Sequence, residues 1–491
     1  MQGTGASTAS SAALPTPSGA PAARRTIPIV AAAAPAAPAL PPRRLPRDDA
    51  PYRAYRPGPY TEAERGDVTV LLGGLHWRVE RLLQATLENL GHKARVLPAA
   101  TQADLMTGRE VADIGQCSPT SFTTGNLANF LRGEAGRIGA AEVAKQYVYV
   151  TAGSCGACRF GQYHQSYELA LRNVGLDAFR MFLLGQDGMD QGKVGGGGLE
   201  LHLHATLGLV WAIVLSDVLQ DFEYRVRPYE KVAGATDRAV RAAMDDLHEV
   251  FRRRPRRAGT GAGSVLWHLG TGYFVDAMRH VRRHFEGVEL DRWRVKPIVK
   301  ITGEFYLQTV EGEPNHHIHR WLEGEGAEVY PAAITVWLDY LMRLAVQDHE
   351  DRIGLKRGAR RTAAGIRLAQ GLLRWTHERM RHTFDDVPPA LPPQHELRAL
   401  AAPWFHSRLN GGEGDMLVGK ALWAHQHHKA HMICELSPYS CMPNTMSIGA
   451  MAAVLGRHPE LLYAPIEIKG DAEVHALSRC QMILTEARKR A

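Results

Sequence analysis

The stretch that most constrains this chain is Gln146 to Gln165, QYVYVTAGSCGACRFGQYHQ. Tyr147-Val148-Tyr149-Val150 is a β-branched and aromatic run that reads as a buried strand. It breaks at Thr151-Ala152-Gly153-Ser154 and then presents Cys155 and Cys158 on either side of Gly156-Ala157. A strand that ends in a small-residue turn bearing two thiols carries both sulfurs to the carboxyl edge of a sheet. Open α/β folds bind their ligands at that edge.

The other cysteines must then be asked whether they share this setting. The chain has six in 491 residues, too few for a disulfide framework. The N-terminus shows no charged-then-apolar export pattern, so a reducing cytoplasm is expected. The longest apolar stretch, Thr206 to Leu215, is too short to cross a bilayer, and no membrane span is expected. A net charge of +7 permits an anionic ligand without demanding one. The densest basic run, Arg252-Arg253-Arg254-Pro255-Arg256-Arg257, lacks interleaved aromatics. It reads as a solvated loop between helices, and no nucleic-acid partner is expected.

Read in order, residues 1–63 are an Ala/Pro-rich tail whose composition cannot bury enough apolar surface to fold, and disorder is expected. Residues 64–198 form a first α/β domain. Val68 to Leu72 and Ala94 to Leu97 are strands around a helix at Arg78 to Leu90, a unit that implies a parallel sheet. Val111 to Gly115 reads as a further strand, leading to Cys117-Ser118-Pro119 and a helix from Thr124 to Arg132. Phe179 to Leu184 is the next strand. Gly185 to Gly198 reads as a mobile loop, since Gly192-Lys193 lacks the spacing and hydroxyl of a phosphate loop. Residues 199–294 are a helical connector, in which His202 and His204 point apart and carry no visible chemistry. Residues 295–491 form a second α/β domain. Its strands are Pro297 to Ile301, Gly326 to Tyr330, His431 to Leu436 and Leu461 to Ile466, and its last helix is Glu473 to Arg488.

Cys117, Cys155, Cys158 and Cys441 each sit in a Gly, Ser or Pro turn after an apolar run and before a helix. Two facing α/β domains would bring those sheet edges to one cleft. Four thiolates at tetrahedral corners suit a 4Fe–4S cluster, and a thiol-rich site also suits zinc. Cys155-Gly156-Ala157-Cys158 between strand and helix equally fits a thiol–disulfide exchange motif. Cys434 and Cys480 lie among apolar residues and read as core. His425, His427, His428 and His431 read as a metal-binding group or as a solvated turn. Glu304, just past a strand, is a candidate for a general acid or base.

Five segments together resemble the superfamily of 2-hydroxyacyl-CoA dehydratases and benzoyl-CoA reductases, closest to the branch related to the ATP-dependent activators of those enzymes. They are GQCSPTSFTTGNLANFL (Gly115 to Leu131), TAGSCGACRFGQYHQ (Thr151 to Gln165), KITGEFYLQTVEGEPNHHIHRWLEGEGAEV (Lys300 to Val329), SPYSCMPNTMSIGAM (Ser437 to Met451) and PIEIKGDAEVHALSRCQMILTEAR (Pro465 to Arg488). The resemblance implies Rossmann-like domains around an interdomain 4Fe–4S cluster, with Cys117, Cys155, Cys158 and Cys441 at the matching cysteine positions. It implies a separate ATP-dependent activase as electron donor and an acyl-CoA substrate; a homo- or hetero-oligomer is compatible with the sequence, which does not set the state. The dehydratases leave one iron of the cluster open. Four cysteines on one cluster would leave none, which keeps open a reading as an electron-transfer or structural protein. A zinc or Cys-x-x-Cys thiol–disulfide protein is the remaining alternative.

Overall fold

The β-branched runs become strands of two parallel sheets. The computed structural model describes residues 58–153, 158–185, 188–189, 199, 202–255, 261–409 and 412–491; residues 1–57 of the tail expected over residues 1–63, and Cys155, lie outside them. In the first half, β1 (Thr69–Leu72), β2 (Lys93–Val96), β3 (Tyr147–Ala152) and β4 (Arg180–Gly185) pair in the order β2-β1-β3-β4. These four strands are parallel, and a two-residue β5 (Gly188–Met189) runs antiparallel to β4 at the edge. In the second half, β6 (Ile298–Gly303), β7 (Glu328–Tyr330), β8 (Met432–Pro438) and β9 (Tyr463–Ile468) pair in the order β7-β6-β8-β9, again all parallel. Each half therefore sets its second strand beside its first, then its third, then its fourth. The chain direction across the sheet reverses between β1 and β3, and between β6 and β8. The carboxyl ends flanking such a reversal are where a crevice opens.

Both faces of these sheets are covered, which is why the strands are nearly continuous in apolar residues rather than alternating with polar ones. Tyr147 and Tyr149 of β3 face a core that includes Leu71 and Met181, while Val148 faces another that includes Val70 and Phe182. The covering helices of the first half are α1 (Trp77–Asn89), α2 (Gln102–Val111), α3 (Ser118–Ile138), α4 (Ala140–Gln146) and α5 (Tyr163–Asn173). Between the two sheets run α6 (Leu203–Val226), α7 (Ala235–Arg252), α8 (Ala262–Gly270) and α9 (Tyr273–Arg282), here called the connector. The second half carries α10 (Phe305–Thr309), α11 (Ile318–Gly324), α12 (Ile334–Asp351), α13 (Ala359–Arg381), α14 (Gln394–Ala401), α15 (Gly414–Gln426), α16 (Met442–Arg457) and α17 (Glu473–Arg490).

By length and composition α6 could cross a membrane, which the short Thr206 to Leu215 run alone did not suggest. In the fold, 67% of its most apolar window is buried within the protein. It packs between α1 of the first half and β7, α12 and α13 of the second. Its Trp211 stacks on Phe274 of α9 with ring centroids 4.4 Å apart. Arg78 of α1 is fully buried beside it, donating from Nε to Glu223 of α6 at 2.8 Å and from Nη1 to Glu311 of the second half at 2.7 Å. Glu223 in turn pairs with Arg227. This network ties both halves to the connector.

Three expectations are corrected. Val111 to Gly115 is not a strand: Val111 ends α2 and the next residues are a loop. The Asp104 carboxylate accepts from both the backbone N–H of Thr101, at 2.8 Å, and its hydroxyl, at 3.1 Å. That box starts a helix, which runs on to Val111 because Leu105, Gly108 and Val111 share its buried face. Second, the fold begins before residue 64. Tyr60 is fully buried, stacks on Phe182, and hydrogen-bonds Nδ1 of His92 at 3.0 Å. Third, the basic run is not wholly solvated. Arg254 is 1% exposed and lies against Gly208 of α6, where a Cβ would sit 2.1 Å from its Nη1. Of the expected Gly185 to Gly198 loop, Gly185 ends β4 and residues 188–189 pair back onto it. Its remaining residues lie outside the described ones.

Candidate functional site

Cys117 and Cys441 occupy the same local construction in the two halves. Cys117 is the N-cap of α3, with Pro119 in the first turn, and Cys441 is the N-cap of α16, with Pro443 in the first turn. Proline fits there because the first-turn amide has no partner within the helix. Three residues after each cysteine a polar side chain meets the sulfur: Thr120 Oγ1 lies 3.1 Å from Cys117 Sγ, and the Cys441 thiol donates to Asn444 Oδ1 at 3.2 Å. Cys158 is likewise an N-cap, of the short 3-10 turn Arg159–Gln162 that runs into α5. Its sulfur accepts the Phe160 N–H at 3.4 Å.

The packing of the halves brings these caps toward one another. Ser118, next to Cys117, donates its hydroxyl to the Ile468 carbonyl at the end of β9, 3.3 Å away. Gly470, at φ +89°, lies against Leu105 of α2, where a Cβ would fall 2.4 Å from Cδ2. Leu105 and Phe122 share a buried core with Val299, Leu436 and Ile468 of the second sheet. Two further glycines let α2 and α3 cross backbone to backbone: a Cβ on Gly108 would meet the Ser121 carbonyl oxygen at 1.8 Å, and one on Gly125 that of Asp104 at 1.7 Å. The start of α3, and Cys117 with it, is fixed by that crossing.

Electrostatics register the convergence. Burial pushes the Cys441 thiol far above its usual range, and charge at Glu304, Cys117 and Cys158 raises it further. Burial pushes Cys158 up to about 12, with Glu413, Glu304 and Cys117 adding to the rise. A helix N-terminus favours a thiolate by only about 1 kcal/mol, less than a tenfold change in ionisation. Burial and neighbouring acids therefore win, and the Cys158 and Cys441 thiols stay protonated at neutral pH.

Glu304 stands at the second reversal point. Gly303, at φ +121°, presses so close to β8 that a Cβ would lie 2.1 Å from the Leu436 carbonyl oxygen. The Glu304 N–H then donates to that same carbonyl at 2.9 Å. The Glu304 carboxylate caps α10 by accepting the Leu307 N–H at 2.9 Å. Burial raises its pKa to about 7 against the pull of the Leu307 and Tyr306 amides, and Glu413 adds to the rise. Deeper in the second half, Glu435 is fully buried and accepts from Asn444 at 2.8 Å, Ser447 at 2.6 Å and Tyr463 at 2.7 Å. Asn444 thereby links Cys441 to Glu435. Burial lowers Lys420 nearby to about 8, against the pull of Glu413 and Glu435.

On the side of the first half a row of tyrosines backs Cys117. The Tyr163 hydroxyl lies 3.4 Å from its sulfur. Tyr163 and Tyr167 meet edge to face, as do Tyr167 and Tyr149, and Tyr167 donates to Thr123 Oγ1 at 2.9 Å. Tyr149 and Tyr306 then line a cavity of about 270 Å³ together with Gly73, Gly74, Glu80 and Glu311. Gly73, Gly74 and Leu75 place part of its wall just past β1, at the first reversal point. Burial raises Glu80 to about 7, against the Leu75 and Gly74 amides that bond its carboxylate.

The structure thus draws Cys117, Cys158, Cys441 and Glu304 into one neighbourhood. Cys434 and Cys480 are fully buried in the core of the second half and are free thiols, as their apolar surroundings suggested. The four histidines do not act together. The His431 Nδ1 accepts the Ile298 N–H at 2.9 Å, His427 pairs with Glu396 at 2.6 Å, and His425 turns to Glu460. Glu80, Glu413, Glu435, Lys420 and Tyr163 escaped the sequence reading. Glu80 could have been found from its place in the first turn of the helix after β1; the others follow no local pattern. No protein-family model matches the chain, and no curated protein matches it.

Proposed function

We propose that this chain is an iron–sulfur protein of the 2-hydroxyacyl-CoA dehydratase kind, in which Cys117, Cys155, Cys158 and Cys441 hold a 4Fe–4S cluster. When bound, the cluster would supply single low-potential electrons, received from a separate ATP-dependent activase, for radical dehydration or reduction of an acyl-CoA thioester. One observation carries the reading: Cys117, Cys158 and Cys441, far apart in sequence and from both halves, cap helices close enough for charge on one to act on another.

Zinc–sulfur bonds of about 2.3 Å in a tetrahedron put sulfurs roughly 3.8 Å apart. Among the described residues, the sulfurs of Cys117, Cys158 and Cys441 do not form a group lying within 4.8 Å of one another. A multinuclear cluster, with each thiolate on a different iron, does not require so close a spacing.

The residues around the site have separable roles in this reading. Glu304 and Glu80, each with a pKa near 7, can take up or release a proton around neutral pH on the cysteine side and in the cavity. Tyr163 and Tyr167 keep water from Cys117. The cavity walled by Tyr149 and Tyr306 offers the thioester a place to enter. The shared strand order supports Rossmann-like halves, and the free thiols suit a reducing cytoplasm.

Anaerobic preparation tests the proposal. A brown protein with about four irons and four sulfides per chain, whose spectrum changes on titration with acyl-CoA thioesters, is the expected result. An unchanged spectrum would leave an electron-transfer protein. A colourless protein holding zinc, or a Cys155–Cys158 disulfide, would overturn the proposal.

A further inference from the structure

We propose that His425, His458 and Glu460 form a second, separate binding site, for one divalent transition-metal ion of the zinc class. The Nε2 atom of His425 lies 3.1 Å from Glu460 Oε1, and the Nδ1 atom of His458 lies 3.3 Å from the same oxygen. The three donor atoms all lie within 4.8 Å of one another. Zinc bonds of about 2.0–2.1 Å to nitrogen and oxygen put neighbouring tetrahedral donors roughly 3.3 Å apart. Two of the three donor pairs already have that spacing. Two imidazoles and a carboxylate leave a fourth position for water.

The donors sit on fixed backbone. His425 belongs to the last turn of α15. That helix is closed behind it by the His428 N–H bonding the His425 carbonyl at 3.1 Å and the Lys429 N–H bonding that of Ala424 at 2.8 Å, with His428 at φ +51°. His458 follows α16 directly, and the Leu461 N–H bonds its carbonyl at 3.0 Å, which sets Glu460 in the same turn. Trp404 packs edge-on against the His458 ring, and Arg457 stacks on Trp404. An ion here would fasten the end of α15 to the turn between α16 and β9.

A second trio, Glu378, His382 and Asp386, has its donors equally close, but its chemistry is different. Arg381 already supplies the positive charge, reaching Glu378 at 3.2 Å and Asp386 at 2.7 Å. His382 turns one ring nitrogen to each carboxylate, so it cannot bring both to one ion. That trio serves as the control.

Zinc titration of the full chain by calorimetry, followed by cobalt substitution, tests the site. The expected result is one zinc ion whose affinity falls at least about tenfold in His458→Ala and in Glu460→Gln, and is unchanged in His382→Ala. Cobalt at these ligands should give weak visible bands that His458→Ala abolishes, without the intense near-ultraviolet sulfur-to-metal absorption that a cysteine site produces. His425→Gln provides a second variant should His458→Ala perturb the α16 end, which its melting temperature without metal reports. Zinc affinity within about twofold of the wild type in His458→Ala and His425→Gln would overturn the proposal. So would zinc binding lost on Cys117→Ser but kept in both histidine variants.

Discussion

The corner at Cys117 and the corner at Cys441 are built alike and connected differently. Each has a cysteine N-cap, a proline two residues on, and a polar side chain three residues on that touches the sulfur. Beyond that shared turn, Cys117 faces the hydroxyl of Tyr163 and, behind it, aromatic rings leading to the cavity. Cys441 faces Glu304 electrostatically and, through Asn444, the buried carboxylate of Glu435. The same backbone device holds a sulfur in both halves. The first half surrounds it with neutral rings, and the second with ionisable groups.

The largest effect should come from removing either sulfur. Both Cys117→Ser and Cys441→Ser are expected to reduce iron and sulfide in anaerobic preparations to near background. Cys434→Ser and Cys480→Ala, in the core, should keep metal content per folded chain. Iron and acid-labile sulfide assays decide it. Retention of full iron in Cys441→Ser would break the equivalence of the two corners and confine any cluster to the first half.

The glycines at the carboxyl end of the first strand of each half sharpen the comparison. Gly303 has φ +121°, and its missing Cβ would lie 2.1 Å from the Leu436 carbonyl oxygen. Gly74 has φ +92°, but its nearest neighbour would be Thr123 Cγ2 at 3.9 Å. Gly303→Ala therefore combines backbone strain with a backbone collision and should cost at least about 4 kcal/mol, enough to impair folding. Gly74→Ala bears only the conformational cost, about 1–2 kcal/mol. Denaturant unfolding of the two variants measures the difference. Equal losses would mean that the second reversal point is no tighter than the first.

Glu80 and Glu304 give the comparison a pH axis. Both ionise near pH 7 in the fold, chiefly through burial, against an ordinary value of 4.5. Between those values the native chain holds a proton that the unfolded chain has released, so stability falls as pH rises from about 4.5 to 7. Each carboxyl accounts for about 3 kcal/mol over that window. Glu304→Gln and Glu80→Gln should each flatten the dependence of melting temperature on pH by about one proton's worth. Glu413→Gln should lower the Glu304 value and leave that of Glu80 unchanged, because Glu413 acts on Glu304. A fall in both would show that the charge of Glu413 also reaches the cavity of the first half.

Much of this architecture was legible in the chain because buried parallel strands are short apolar runs closed by small residues. Tyr147-Val148-Tyr149-Val150 and Ile298-Val299 could be read on sight, and the cysteine corners followed from the turns after them. The run Val111 to Gly115 misled because a helix end and a strand look alike over five residues, and the Thr101 to Asp104 box upstream carried the deciding signal. The ionic network at Arg78, Glu223 and Glu311 was invisible for a different reason. Glu223 and Glu311 lie 145 and 233 positions from Arg78, and sequence spacing says nothing about pairs that only the assembled halves bring together. Tyr163 and Glu435 belong to the same class: their roles depend on what packs opposite.

The smallest effect isolates the polar contact at each sulfur. Asn444→Ala removes the acceptor of the Cys441 thiol and one of three donors to Glu435, leaving Ser447 and Tyr463. Losing a hydrogen bond to a buried charged group costs about 1.5–3 kcal/mol. Thr120→Ala removes only a contact between neutral groups at Cys117, which still has Tyr163, and should cost about 0.5–1.5 kcal/mol. The two variants differ in pH behaviour as well as in size. The Asn444→Ala loss should shrink toward acid pH, because burial raises the Glu435 pKa and a protonated carboxyl no longer needs the missing donor. The Thr120→Ala loss should stay flat over the same range. Urea unfolding at pH 5 and pH 8 reads both, and a flat Asn444→Ala loss would mean that Asn444 serves the sulfur rather than the acid behind it.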